Sequence, residues 1–84
     1  MSLTLYVKVW CPWCVRAQAW LDARGYLYQL IDVEKPSTNL AVMVEISGQS
    51  RAPTLVIEST PRAVLADFGP EEIEAFLSKH QFKL

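Results

Sequence analysis

Val7-Lys8-Val9-Trp10-Cys11-Pro12-Trp13-Cys14 is the stretch from which the rest of the chain can be read. It contains both cysteines of the chain and two of its three tryptophans, with a proline between the thiols. Upstream, Leu3, Leu5, Val7 and Val9 alternate with Thr4, Tyr6 and Lys8 in a run that is largely apolar on both faces, as expected of an interior strand covered on two sides. Downstream, Cys14, Ala17, Trp20 and Leu21 recur at three- and four-residue spacing, while Arg16, Gln18, Asp22 and Arg24 take the other side. This spacing predicts an amphipathic helix, opened by Pro12 near its first position and stopped by Gly25. The cysteines therefore fall at a strand-to-helix junction.

Beyond Gly25 the elements continue to alternate. Tyr26 to Val33 has strand character, rich in aromatic and branched residues. Glu34 to Ser37 reads as a linker, followed by a helix that buries Leu40, Met43 and Val44 and ends at Gly48. Thr54 to Glu58 and Arg62 to Ala66 read as two short strands around a Ser59-Thr60-Pro61 turn. Gly69-Pro70-Glu71-Glu72 opens a last helix, with proline at its first position and two acids at the positive end of its dipole. Ile73, Phe76 and Leu77 form its inward stripe, and His80 extends that stripe as a helix-end residue. The expected class is α/β, in the order β-α-β-α-β-β-α. The first crossover makes its strands parallel and the closing hairpin is antiparallel, giving a four-stranded mixed sheet with helices on both faces.

Composition narrows the function classes. The 84 residues suit one domain, 1–84, with a single core. A net charge of -1 argues against a general nucleic-acid or anionic-membrane binder. No apolar run approaches the roughly 20 residues that span a bilayer. The opening Met1-Ser2-Leu3-Thr4 lacks the basic start and small-residue cleavage site of an export signal, so a cytoplasmic location is expected.

Two cysteines three residues apart at a helix start can close a small disulfide or present two thiols together. Cys11 stands at the helix mouth, where free backbone N–H groups and the dipole favour negative charge, and Lys8 adds a cation near the same end. Cys14 is already inside the first turn. Since the thiolate is the reactive form, Cys11 is expected to be the nucleophile and Cys14 the resolving thiol. Pro12 stiffens the ring between them, and Trp13 is expected to be exposed as an apolar wall for a thiol substrate. A structural zinc site wants four ligands, and the chain offers two cysteines and the distant His80. A purely structural disulfide over so short a loop stabilises little. A cluster shared between two chains is a further alternative. Dithiol redox chemistry is the main reading.

Lys8-Val9-Trp10-Cys11-Pro12-Trp13-Cys14 resembles the active-site stretch of the dithiol glutaredoxins, which typically read K-x-x-C-P-Y-C, with Trp13 in place of the tyrosine. The element order is similar to their minimal thioredoxin fold over essentially the whole chain. The resemblance implies a cis-proline facing the cysteines, which falls on Ala52-Pro53. It implies glutathione as reductant, its carboxylate end held by Lys8 and Gln49 with Arg51 as an additional cation. The backbone of Ala52 would pair with the cysteinyl part of glutathione. It further implies disulfide-containing or glutathionylated proteins as substrates, a monomer and no resident metal.

The C-terminal third departs from that family. Where glutaredoxins usually carry a glycine pair and then acidic residues, this chain reads Val64-Leu65-Ala66-Asp67-Phe68-Gly69-Pro70, and Asp67 alone resembles the pattern. The Asp67-Phe68-Gly69-Pro70 stretch, with Phe68 bordering the groove or packing on the last helix, is similar to the NrdH-type redoxins. Those take electrons from thioredoxin reductase and reduce ribonucleotide reductase. The electron donor is therefore open between the two. A glutathione-ligated [2Fe–2S] homodimer built on two Cys11 thiolates is a third reading, against which Pro12 weighs.

Overall fold

The computed structural model describes residues 2–82. Its elements are β1 (Leu3–Val7), α1 (Pro12–Ala23), β2 (Gln29–Asp32), α2 (Thr38–Ser47), β3 (Thr54–Ile57), β4 (Ala63–Ala66) and α3 (Pro70–Lys79). They form a four-stranded mixed sheet in the order β2-β1-β3-β4, the thioredoxin fold. β1 lies at its centre, parallel to β2 with Leu5 opposite Leu30, and antiparallel to β3 with Leu5 opposite Leu55. β3 and β4 close the sheet as an antiparallel hairpin, Leu55 opposite Leu65.

All five residues of β1 are buried, as a strand with cover on both faces requires. The alternation of its side chains separates two cores. Leu3, Leu5 and Val7 join Leu55 and Ile57 of β3 on one face, beneath Ala17 and Leu21 of α1 and Ile73, Phe76 and Leu77 of α3. Tyr6 and Val56 point to the other face, where Val33 and Met43 complete a smaller core under α2. The first of these cores includes both cysteines.

Local chemistry explains the helix limits. Pro12 and Pro70 occupy the first helical positions, where a missing N–H costs nothing. Gly25 and Gly48 take left-handed conformations (φ 76° and 73°) just past α1 and at the end of α2.

Three expectations need correcting. β1 stops at Val7, and Val9 beyond it is 70% exposed. The second strand is only Gln29–Asp32: Leu27 is 89% exposed, while Tyr26 stacks on Trp20 with ring centroids 5.9 Å apart. An edge strand with a helix on one face cannot bury a long apolar run, so Tyr26-Leu27-Tyr28 serves as the connection from α1. In α2, Met43 is buried and Leu40 half-buried, but Val44 is exposed. That helix is apolar nearly all round, so its own sequence cannot say which side meets the sheet. His80 is the C-cap of α3, exposed, with its ring edge-on to Phe76 at 5.0 Å.

Candidate active site

β1 ends at Val7, and the chain then turns through Lys8, Val9 and Trp10 to deliver Cys11 as the N-cap of α1. Cys11 has extended backbone angles (φ -81°, ψ 117°), and its sulfur accepts a hydrogen bond from the Cys14 amide at 3.3 Å. The sulfur thus fills the role of an N-cap oxygen, taking one of the unpaired amides of the first turn. Its own S–H points to the Ala52 carbonyl at 3.8 Å. The Ala52–Pro53 peptide is cis, as expected, and Pro53 is buried behind it.

The two thiols occupy different depths. Cys11 retains 6% of its surface and Cys14 none. Burial pushes the Cys14 thiol up to about 12, helped by its hydrogen bond to the Cys11 sulfur and offset in part by the Lys8 backbone and charge. Cys14 is therefore a protonated thiol at neutral pH, held directly behind Cys11.

Around this pair lies an apolar rim. Trp13 is 48% exposed with the Arg16 guanidinium 4.8 Å from its ring centre. Trp10 is 66% exposed, its indole N–H donating to Glu34 at 3.2 Å, and the Lys8 ammonium lies 5.5 Å from its ring centre. Pro12 is exposed at the helix mouth. A groove runs from Trp13 along Asp67, Phe68 and Gly69 to Glu71 and Glu72. Phe68 lines this groove and is buried in the main core.

The polar residues expected at the site are brought to its edge, with partners of their own. The Gln49 amide donates to Ser47 Oγ and Thr54 Oγ1 at 2.8 and 2.9 Å, and its oxygen accepts the Arg51 amide N–H at 2.6 Å. Arg51 forms a 2.8 Å ion pair with Asp67 across the groove end. Asp67 has a positive φ of 55°, a conformation that aspartate tolerates better than most residues, and its N–H donates to the Pro53 carbonyl at 3.1 Å. At the start of α3 the Gly69 N–H points to Glu72 Oε1 at 3.5 Å, and the Glu71 carboxylate folds over the open side of Gly69.

Sequence reasoning placed Glu71 and Glu72 at a helix start and missed that they line the groove. Their position two and three residues after Gly69 was the available signal. Glu34 was read as linker, and nothing local marks it as a partner of Trp10. Among the described residues no three of His, Cys, Asp and Glu come together as a metal site, and no helix is long and apolar enough to cross a membrane.

Comparison with known proteins agrees with this geometry. The chain is 28% identical over 58 residues to glutaredoxin 3 of Escherichia coli, covering 69% of this chain and 70% of that protein. Among solved structures, the thioredoxin-like protein BC3987 superposes with a TM-score of 0.78 at 25% identity, covering 90% of this chain and 100% of that one. A glutaredoxin from Archaeoglobus fulgidus gives 0.75 at 17% identity (90% and 85% covered). The Escherichia coli NrdH-redoxin, described as a glutaredoxin-like protein with a thioredoxin-like activity profile, gives 0.69 at 21% identity (89% and 93% covered). These last two likenesses are of fold alone. The glutaredoxin family model matches residues 3–60, which include both cysteines and Pro53, and the chain belongs to the glutaredoxin family.

Proposed function

We propose that this protein is a monomeric cytoplasmic oxidoreductase, one domain over residues 1–84, that reduces protein disulfides and glutathionylated proteins with glutathione as electron donor. The observation that carries the reading is the unequal pair: a Cys11 sulfur at the mouth of α1 that keeps a small share of its surface, with the fully buried Cys14 thiol bonded to it from behind.

The chemistry follows from that asymmetry. Cys11, as thiolate, attacks one sulfur of a target R–S–S–R′, forming Cys11–S–S–R and expelling R′–S⁻, which takes up a proton. The hydrogen bond that held the Cys14 proton on the Cys11 sulfur is then lost. Cys14 delivers its electron pair to the Cys11 sulfur, its proton leaves with the departing R–S⁻, and the Cys11–Cys14 disulfide remains. Two glutathione thiols return the pair to the dithiol and become glutathione disulfide. When the target carries glutathione, Cys11 removes the glutathionyl group and a second glutathione thiolate takes it from Cys11 without Cys14. In this reading Pro12 and Pro53 hold the thiols in place, Trp13 and Phe68 wall the groove, and Lys8, Gln49, Arg51 and Ala52 receive the tripeptide, with Asp67 holding Arg51 at the groove end.

One observation favours a second reading, a redoxin reduced by thioredoxin reductase and serving a partner such as ribonucleotide reductase. The groove end is rimmed by Asp67, Glu71 and Glu72, and Arg51 is already paired with Asp67, an arrangement that does not welcome a tripeptide with two carboxylates. Oxidised protein is to be offered glutathione with glutathione reductase and, separately, thioredoxin reductase, each with NADPH. Faster NADPH consumption in the glutathione couple is expected; faster reduction by thioredoxin reductase overturns the glutathione assignment in favour of the second reading.

A further inference from the structure

Arg51 precedes Ala52, whose carbonyl faces the Cys11 sulfur, so a ligand bonded to Cys11 and extended along that backbone brings its charged ends within reach of the Arg51 guanidinium. That guanidinium is held by the Asp67 carboxylate at 2.8 Å. Both side chains are more than half exposed, so the pair is weak, and neither partner is needed to satisfy a buried group. The backbone is nevertheless built to keep them together. Gln49 fixes the Arg51 amide, Thr54 Oγ1 donates to the Arg51 carbonyl at 2.8 Å, and the Asp67 N–H is anchored on the Pro53 carbonyl. The loops around Ala52 and Asp67 are thus joined by one backbone bond and one ion pair, which masks the guanidinium of the residue preceding Ala52.

We infer that Asp67 is a specificity-determining positioning residue: by holding Arg51 it lowers the reactivity of Cys11 toward anionic low-molecular-weight disulfides relative to cationic ones. The inference rests on the dithiol reading above. The reaction that tests it is self-contained: the Cys11/Cys14 dithiol is oxidised to its disulfide, while one small disulfide takes up two electrons and two protons and leaves as two thiols.

The probes are glutathione disulfide, which is anionic, and cystamine, which is cationic. Each is mixed with fully reduced protein at 0.15 M salt, where charges beyond about 8 Å are screened, and the loss of protein thiol is followed. Asp67→Asn keeps the left-handed backbone accessible and removes the charge. It is expected to raise the ratio of the glutathione disulfide rate to the cystamine rate about two- to fivefold, the range set by breaking an exposed pair. A loosened fold would move both probes together and leave this ratio unchanged.

The effect must also pass through Arg51. In an Arg51→Gln background, Asp67→Asn is expected to change the ratio by less than half the factor seen with Arg51 present. An equal ratio in wild type and Asp67→Asn, or a comparable gain in the Arg51→Gln background, overturns the inference while leaving the dithiol reading intact. If the wild-type dithiol reduces neither probe, both fall together.

Discussion

The two walls of the groove are made differently. On one side, residues 8–14 and the Ala52–Pro53 peptide hold the Cys11 sulfur through backbone: the Cys14 amide, the Ala52 carbonyl and the mouth of α1. On the other side, residues 67–72 line the groove beside Trp13 with side chains, namely Asp67, Phe68, Glu71 and Glu72. The glutaredoxin family model covers the first wall and ends before the second. Backbone geometry survives wide changes of side chain, so the thiol chemistry is legible from family membership. The second wall lies beyond the matched residues and carries the charges of Asp67, Glu71 and Glu72.

Mutations at each wall test that division. Cys11→Ser should bring every thiol-dependent activity down to background, since a serine hydroxyl cannot act as thiolate or carry the mixed disulfide; retained turnover would remove the first wall from the chemistry. Phe68→Ala should cost about 3–5 kcal/mol of stability, because the ring is buried in the main core. Trp13→Ala, across the groove, should cost only about 1 kcal/mol, the range of an exposed ring and its cation contact. Urea unfolding of both variants checks the contrast, and equal losses would mean that the two aromatic rings are equally structural.

A pH series separates the thiols. With Cys14 pushed up to about 12 by burial, it stays a protonated thiol at pH 7. Iodoacetamide at that pH should therefore label Cys11 alone, with labelling of Cys14 rising about tenfold per pH unit. The same shift bears on stability. The folded state keeps the Cys14 proton that the unfolded chain releases from its ordinary value near 9.0. The stabilisation is thus full below about pH 9 and is lost as pH rises toward 12. Tyr28, raised to about 12 by burial and its bond to Asp22, acts in the same direction. The reduced protein should lose stability over that window more steeply than the oxidised one, whose cysteines carry no protons, and parallel curves would contradict the placement of Cys14. The smallest effect is expected at Glu34→Gln: its bond to Trp10 is exposed, and stability should change by no more than about 0.5 kcal/mol.

How much of this could be read beforehand depended on the range of the interaction. The β1-to-α1 junction was legible because its signals are local: an apolar run, Pro12 at the first helical position, Gly25 past the end. The inward stripe of α3, Ile73, Phe76 and Leu77, was legible for the same reason. Val44 was not, since a helix apolar on all sides takes its orientation from the sheet it meets. The exposure of Leu27 escaped for a similar cause: an aromatic and branched run looks like strand whether or not a neighbour pairs with it. Lys8, Gln49, Arg51 and Asp67 stand out one by one in the sequence, but the Arg51–Asp67 pair joins positions 16 apart. No local pattern reveals that partner, and it changes what those charges offer a ligand.

The central claim is the division of labour between Cys11 and Cys14, and trapping tests it most directly. Reduced Cys14→Ser and Cys11→Ser proteins are each exposed to glutathione disulfide, and the adducts are located by mass spectrometry. The account predicts one glutathionyl group on Cys11 that persists in Cys14→Ser, and no comparable adduct on Cys14 in Cys11→Ser. Rapid glutathionylation of Cys14 in Cys11→Ser would contradict it.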